Sequence, residues 1–258
     1  MRVSLIFCLI FWTAGLLYAQ EEEINMSSDR PGQCYSAVTV DKGYLLLETG
    51  LGLDLMNGMD NWGLAVHDFR YGIVKNFELK TGIRSTLTKF HGIDETMLNG
   101  SLMAGLKWGI VNKKVQLAYV AEAYIPLHPN IVTAQHSLNM AHSVGDKVGF
   151  SYMFLHNYDF SQLRNRRYFG GLQFSYLASF SLHKKWSFYV GLSGMWDSSS
   201  RREYQVLYDA GLIYMIKDNL QIDLFFGHGI NYKHGNYGIG LCWMPKKGKK
   251  EKPVIPAE

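Results

Sequence analysis

The stretch from Tyr71 to Thr88, YGIVKNFELKTGIRSTLT, constrains this chain more than any other. Its second part alternates without exception. Phe77, Leu79, Thr81, Ile83, Ser85 and Leu87 fall on one face, and Glu78, Lys80, Gly82, Arg84, Thr86 and Thr88 on the other. Successive side chains of an extended chain point to opposite faces, so this is a strand with one apolar face and one charged or small face. Lys75-Asn76 before it has the residue chemistry of a hairpin turn. The unit recurs at Trp108 to Val120, His142 to Tyr152, Phe180 to Leu192 and Tyr214 to Phe226. Each is an apolar strand, a short turn of Lys, Asn, Asp and Gly, and a second apolar strand. The recurrence every roughly 33 to 38 residues matches two strands and one longer loop.

These repeats predict an all-β fold, a closed antiparallel transmembrane β-barrel of about twelve strands. Residues 1–19 have the form of a cleaved signal peptide: Arg2, an apolar run from Val3 to Leu17, and a cleavage point after Ala19. Residues 20–42 are polar and irregular, expected to be a periplasmic segment that partly plugs the barrel. Residues 43–244 form the barrel, and residues 245–258 a basic, disordered periplasmic tail with Lys246, Lys247, Lys249, Lys250 and Lys252. Past the leader, no stretch reaches the ~18 consecutive apolar residues that a spanning helix needs. The net charge of +4 is mild, and much of it lies in that tail. Composition therefore supports neither nucleic-acid binding nor a polybasic membrane surface.

A strand in lipid cannot leave its backbone N–H and C=O groups unpaired, so the sheet must close on itself. The polar faces then point inward and place Glu48, Asp54, Arg70, Glu78, Lys80, Arg84, Lys107, Glu122, Asp209 and Asp223 in the lumen as candidate solute contacts. Trp108, Trp186 and Trp243 are expected near the short turns, and Trp62 and Trp196 near the longer loops, as interfacial aromatics. The longer loops are expected at Met56 to Asn61, His91 to Asn99, Pro126 to Asn130, Tyr158 to Arg167, Asp197 to Glu203 and Gly227 to Asn236. A slip in alternation at His67-Asp68 predicts a β-bulge. An even strand number leaves both termini on one side, the periplasmic one for a barrel of the cell outer membrane.

Asp29-Arg30-Pro31-Gly32-Gln33, Thr39 to Tyr44 and Glu48-Thr49-Gly50 together resemble the opening of a bacterial outer-membrane transporter-like family, the putative MetA-pathway of phenol degradation proteins. Arg70 to Leu79 is similar to a second signature of that family. The resemblance is most specific from Asp29 to Arg84. It implies an outer-membrane β-barrel with a role in moving small, hydrophobic compounds, and it marks Asp29, Arg30 and Pro31 as a motif. Cys34 stands where a small hydroxyl residue is expected, and the chain continues past its last strand. That strand, Tyr237-x-Ile239-x-Leu241-x-Trp243, resembles the aromatic-ended signal read by barrel assembly machinery.

Cys34 and Cys242 remain after processing. They lie next to the first strand and in the last, which are neighbours in a closed barrel, so a disulfide between them is a candidate. No cofactor, metal or enzymatic activity is expected. The histidines lack metal-site spacing, and Ser137 with His142 is the one pair that could be imagined as a hydrolase or acyltransferase dyad. The expected partners are outer-membrane lipid, the assembly machinery and a small solute whose identity the sequence does not give. A channel or transporter is the leading function. The alternative is a non-conducting structural or interaction barrel.

Overall fold

The computed structural model of the chain describes residues 26–30, 32–127, 132–160, 170–197 and 204–245. The leader, Pro31, the arginines at 164, 166 and 167, and the tail from residue 246 lie outside the described residues. Among the described residues there are twelve strands: β1 (Leu45–Met56), β2 (Met59–Val74), β3 (Phe77–Phe90), β4 (Thr96–Asn112), β5 (Val115–Pro126), β6 (Thr133–Val144), β7 (Val148–Asp159), β8 (Gly171–His183), β9 (Trp186–Asp197), β10 (Tyr204–Lys217), β11 (Leu220–Gly229) and β12 (His234–Trp243). Each pairs antiparallel with its neighbour in sequence, and β1 pairs with β12 from Leu47 opposite Trp243 to Met56 opposite His234. The fold is thus a closed barrel without an edge strand, the arrangement that satisfies every ladder.

The alternation read from sequence sets the two faces. Ile83, Leu102, Phe154, Leu192, Leu224 and Ile239 are among the large apolar residues exposed on the outer wall. Glu48, Arg70, Glu78, Lys107, Glu122 and Asp223 are buried on the inner one. A water-soluble sheet would hide the first set and expose the second. Among the described residues, no helix is long and apolar enough to cross a membrane.

The short turns join β2–β3, β4–β5, β6–β7, β8–β9 and β10–β11 at the end where the chain enters β1 and leaves β12. Asn76 completes the first of them at φ 62, a left-handed conformation that Asn tolerates better than most residues.

Two local expectations need correction. The bulge lies at Leu64, between the pairs Gly63/Thr86 and Ala65/Ser85, three residues before the expected His67. Trp62 and Leu64 both face outward, and the extra residue then moves the outward set to Phe69 and Tyr71. Met56 to Asn61 is not a long loop. It is a two-residue turn at Asn57-Gly58, with Gly58 at φ 89, and both strands run up to it. β4, β11 and β12 likewise extend into residues expected as loop, because polar strand ends have loop-like composition.

One row of paired residues crosses half the wall: Tyr189, Gly211, Phe225, Gly238, Gly52 and Gly63. Inside, the Tyr189 ring lies on Gly211 and the Phe225 ring on Gly238; a Cβ at either glycine would come within 2.3 Å of the ring. Outside, the same row floors an apolar trough of about 820 Å³ that opens away from the barrel. The sheet itself separates this trough from the lumen.

Candidate functional site

Residues 26–30 and 32–42 lie within the lumen at the short-turn end and cross it. Ser28 Oγ is 3.0 Å from Cys242 Sγ on β12. Cys34 Sγ is 4.0 Å from the Ser151 carbonyl on β7 and packs with Met153, Leu155, Leu177 and Tyr189. β12 and β7 are five strands apart around a ring of twelve, so this passage spans the interior. Tyr35 Oη then donates to Glu122 on β5 at 3.3 Å and accepts from Gln135 on β6 at 2.8 Å. The Val40 amide donates to Glu78 on β3 at 2.5 Å. The segment leaves along β2, where the Gly43 amide donates to the Gly72 carbonyl at 2.6 Å. Position 72 has to be glycine there: a Cβ would sit 2.2 Å from the Asp41 carbonyl oxygen.

Asp29 is the anchor of the crossing. Its Oδ1 lies 2.6 Å from Lys107 Nζ and 3.4 Å from Arg70 Nη1, and its Oδ2 lies 3.0 Å from Lys80 Nζ. Arg70 also binds Glu78 at 2.8 Å and Glu48 at 3.0 Å, and Lys80 binds Glu122. The Ser36 and Asp29 amides donate to Asp29 Oδ1 and Glu48 Oε1, both at 2.9 Å. All seven charged side chains are buried. Charges removed from water persist only when paired and hydrogen-bonded, which this network achieves. Burial alone would raise the Asp29 carboxyl, but Arg70, Lys107 and Lys80 hold it well below the usual carboxylate range.

Arg30 lies across the seam that closes the barrel. Gly50 on β1 and Gly240 on β12 face each other across this seam. A Cβ at Gly50 would come within 2.5 Å of the guanidinium, and one at Gly240 within 2.4 Å. Arg30 Nη2 donates to the Ile239 carbonyl at 3.4 Å and meets Asp223 on β11 at 3.5 Å. Ser28, Asp29 and Arg30 thus touch β12, β1 and both strands in turn.

The ten residues read as lumen-facing divide by partner. Glu48, Arg70, Glu78, Lys80, Lys107 and Glu122 hold the N-terminal segment. Asp223 meets Arg30, and Asp209 lies against Gly32, where a Cβ would be 3.0 Å from its Oδ2. Arg84 pairs with Asp68 at 3.3 Å and lies 4.8 Å over the Tyr124 ring. Asp54 accepts from Asn236 at 2.6 Å and faces His234 at 3.4 Å nearer the opposite mouth. The charged side of the lumen is therefore engaged by the protein's own segment. Sequence reasoning did not identify Ser28, Tyr35, Gly72 or Gln135 as its partners. The pattern Gly50, Gly240 and Gly72 on inward positions was the available signal, since glycine on a strand marks close backbone approach.

The expected Cys34–Cys242 disulfide is not formed. Both are buried free thiols, and they belong to separate apolar clusters, Cys34 with Met153 and Tyr189, Cys242 with Val40 and Leu46. The reason is the crossing: it carries Cys34 away from β12. Burial pushes the Cys34 thiol up to about 12, which suppresses the reactive thiolate. Ser137 and His142 do not meet either. Ser137 is buried inside and accepts from Asn139 at 2.9 Å, whereas the His142 ring stacks on Tyr152 at 5.8 Å on the outer face. Among the described residues, no group of three or more His, Cys, Asp or Glu could hold a metal ion.

A family model described as putative MetA-pathway of phenol degradation matches residues 28–241. No curated protein sequence matches the chain. Among solved structures, an outer membrane channel from Pseudomonas putida F1 is similar at a TM-score of 0.62 and 10% identity, over 84% of this chain and 99% of that one. The NanC porin is similar at 0.56 and 7%, over 76% and 98%. The KdgM porin is similar at 0.53 and 11%, over 76% and 98%. At these identities the likeness is one of fold.

Proposed function

The chain belongs to the putative MetA-pathway of phenol degradation family, and from that premise we propose that it is a channel-type barrel of the cell outer membrane whose own N-terminal segment plugs it. Its cargo is small solutes, hydrophobic ones included. In this proposal the leader is cleaved, the short turns and both termini face the periplasm, the basic tail is disordered there, and β12 is the strand presented to the assembly machinery.

The observation that carries this proposal is the Asp29 clamp. A barrel that served only as a scaffold could fill its lumen with wall side chains. Here a separate chain segment fills it, held by ion pairs that must break together. The wall charges are engaged in that hold, whereas Ser137, Asn139, Ser175 and Ser193, buried on the inner wall of β6, β8 and β9, carry no charge, so a path opened there by unseating the segment would run past uncharged polar groups. This favours uncharged cargo.

The test is unit conductance in planar bilayers. Wild type should conduct weakly. Deletion of residues 26–41 should raise unit conductance several-fold, and Asp29→Asn should give intermittent openings between these levels. If the deletion variant keeps strand-dominated circular dichroism and heat-dependent gel mobility and neither it nor wild type conducts, the non-conducting barrel is the correct reading.

A further inference from the structure

Each of the five short turns carries lysine within it or at its edge: Lys75, Lys113 and Lys114, Lys147, Lys184 and Lys185, and Lys217 at the end of β10. All seven are exposed, against two aspartates in the same turns, Asp146 and Asp218. The five turns together thus carry a surplus of five positive charges. At the opposite end the described strand tips and loops mix Lys89 and Lys233 with Asp60, Asp94 and Glu95. The mild net charge of the chain does not reveal that these lysines gather in the turns of one end.

Three features identify what this ring would meet. Among the described residues, no carboxylate pairs with Lys113, Lys114, Lys147, Lys184, Lys185 or Lys217. The ring lies just beyond an outward aromatic girdle. Trp186 follows Lys185 directly and packs on Tyr214 at 4.4 Å, while Trp108 is opposite Phe77 and Trp243 opposite Leu220. Indole rings settle at the boundary between acyl chains and headgroups, so the lysines next to them reach the phosphate layer. The charges are also spread over every hairpin around the circumference. One docked protein would need them on one side; an annulus of lipid surrounds the whole barrel.

We propose that the lysine ring of the short turns is a binding surface for anionic phospholipid headgroups, selecting phosphatidylglycerol-type lipid around this end of the barrel. Lysines clustered near an anionic surface are drawn to it, and a preference measured against zwitterionic lipid reads that attraction directly. The inference rests on the chain being a lipid-embedded barrel.

The test uses the full chain, tail included, with Trp62→Phe and Trp196→Phe so that the remaining barrel tryptophans report the short-turn girdle. It is reconstituted into phosphatidylcholine vesicles containing brominated phosphatidylglycerol or brominated phosphatidylcholine, and fluorescence quenching gives the relative association constant. A preference for phosphatidylglycerol of at least about threefold is expected at low salt. It should fall to near unity in 1 M salt, and in the variant with Lys113, Lys114, Lys184, Lys185 and Lys217 changed to Gln. No preference in the parent overturns the proposal. So does a preference that survives the five substitutions, which would place it on the tail. Failure to enter vesicles at all would instead remove the barrel-in-lipid reading.

Discussion

Asp29 and Arg70 touch each other, yet removing one differs from removing the other. Without the Asp29 charge, three cations (Arg70, Lys80 and Lys107) face three carboxylates (Glu48, Glu78 and Glu122). Without Arg70, four carboxylates face two lysines in a site with little water. Arg70→Gln should therefore cost about 3–5 kcal/mol, the range for stranding buried charge, and Asp29→Asn clearly less. Urea unfolding of the detergent-solubilised barrel measures both, and equal costs would contradict this account of the network. The pH dependence follows from the same contacts. A carboxyl held below its unfolded value stabilises the seated segment above that unfolded value, and loses this effect as pH falls through the lowered one. Acidification from about pH 8 to about pH 5 should leave the Asp29 hold intact. The inward direction of all ten charged residues was legible in sequence, because alternation alone decides a face. Their partner was not. Asp29 and Lys107 are 78 positions apart, and nothing local in a chain encodes a contact at that range.

Strand existence was legible for the same reason, and strand ends were not. β3 runs from Phe77 to Phe90 as its pattern demands. The tips of β1, β2, β11 and β12 carry Asn, Asp, Gly and His, which resemble loop residues, because beyond the lipid belt a strand no longer needs an apolar face. The bulge at Leu64 was visible only through its consequence, the displaced alternation downstream. If the outer wall meets hydrocarbon, position along a strand must matter more than residue type. Leu224 is 52% exposed at the centre of β11, and Leu182 is 63% exposed next to the β8–β9 turn. Leu224→Arg should cost about 2–4 kcal/mol in lipid and Leu182→Arg about 0–1 kcal/mol. Refolding equilibria in lipid vesicles test the gradient; equal costs would place both residues in water.

At the scale of the whole molecule, the N-terminal segment and the closure of the barrel are one construction. Closure joins the first strand to the last, the pairing with the longest loop entropy to overcome. Arg30 lies over that joint, on the two glycines that leave room for it, and is tied to β12 and β11 by Ile239 and Asp223. Seating the segment should therefore stabilise the seam, and strain at the seam should unseat the segment. Arg30→Gln removes the ionic part of the contact. Gly50→Ala leaves Arg30 in place in the sequence but puts a methyl group where its guanidinium lies. Because that group is the flexible end of a long side chain, it will move aside and the strands will still pair. Each substitution should lower the midpoint of heat-dependent gel mobility by roughly 3–8 °C, from a contact of about 1–2 kcal/mol. Each should also raise open-channel noise. The double variant should do little more than either single one, since both remove the same contact. Additive shifts would mean that Gly50 and Arg30 act independently, and the coupling of segment to seam would have to be abandoned.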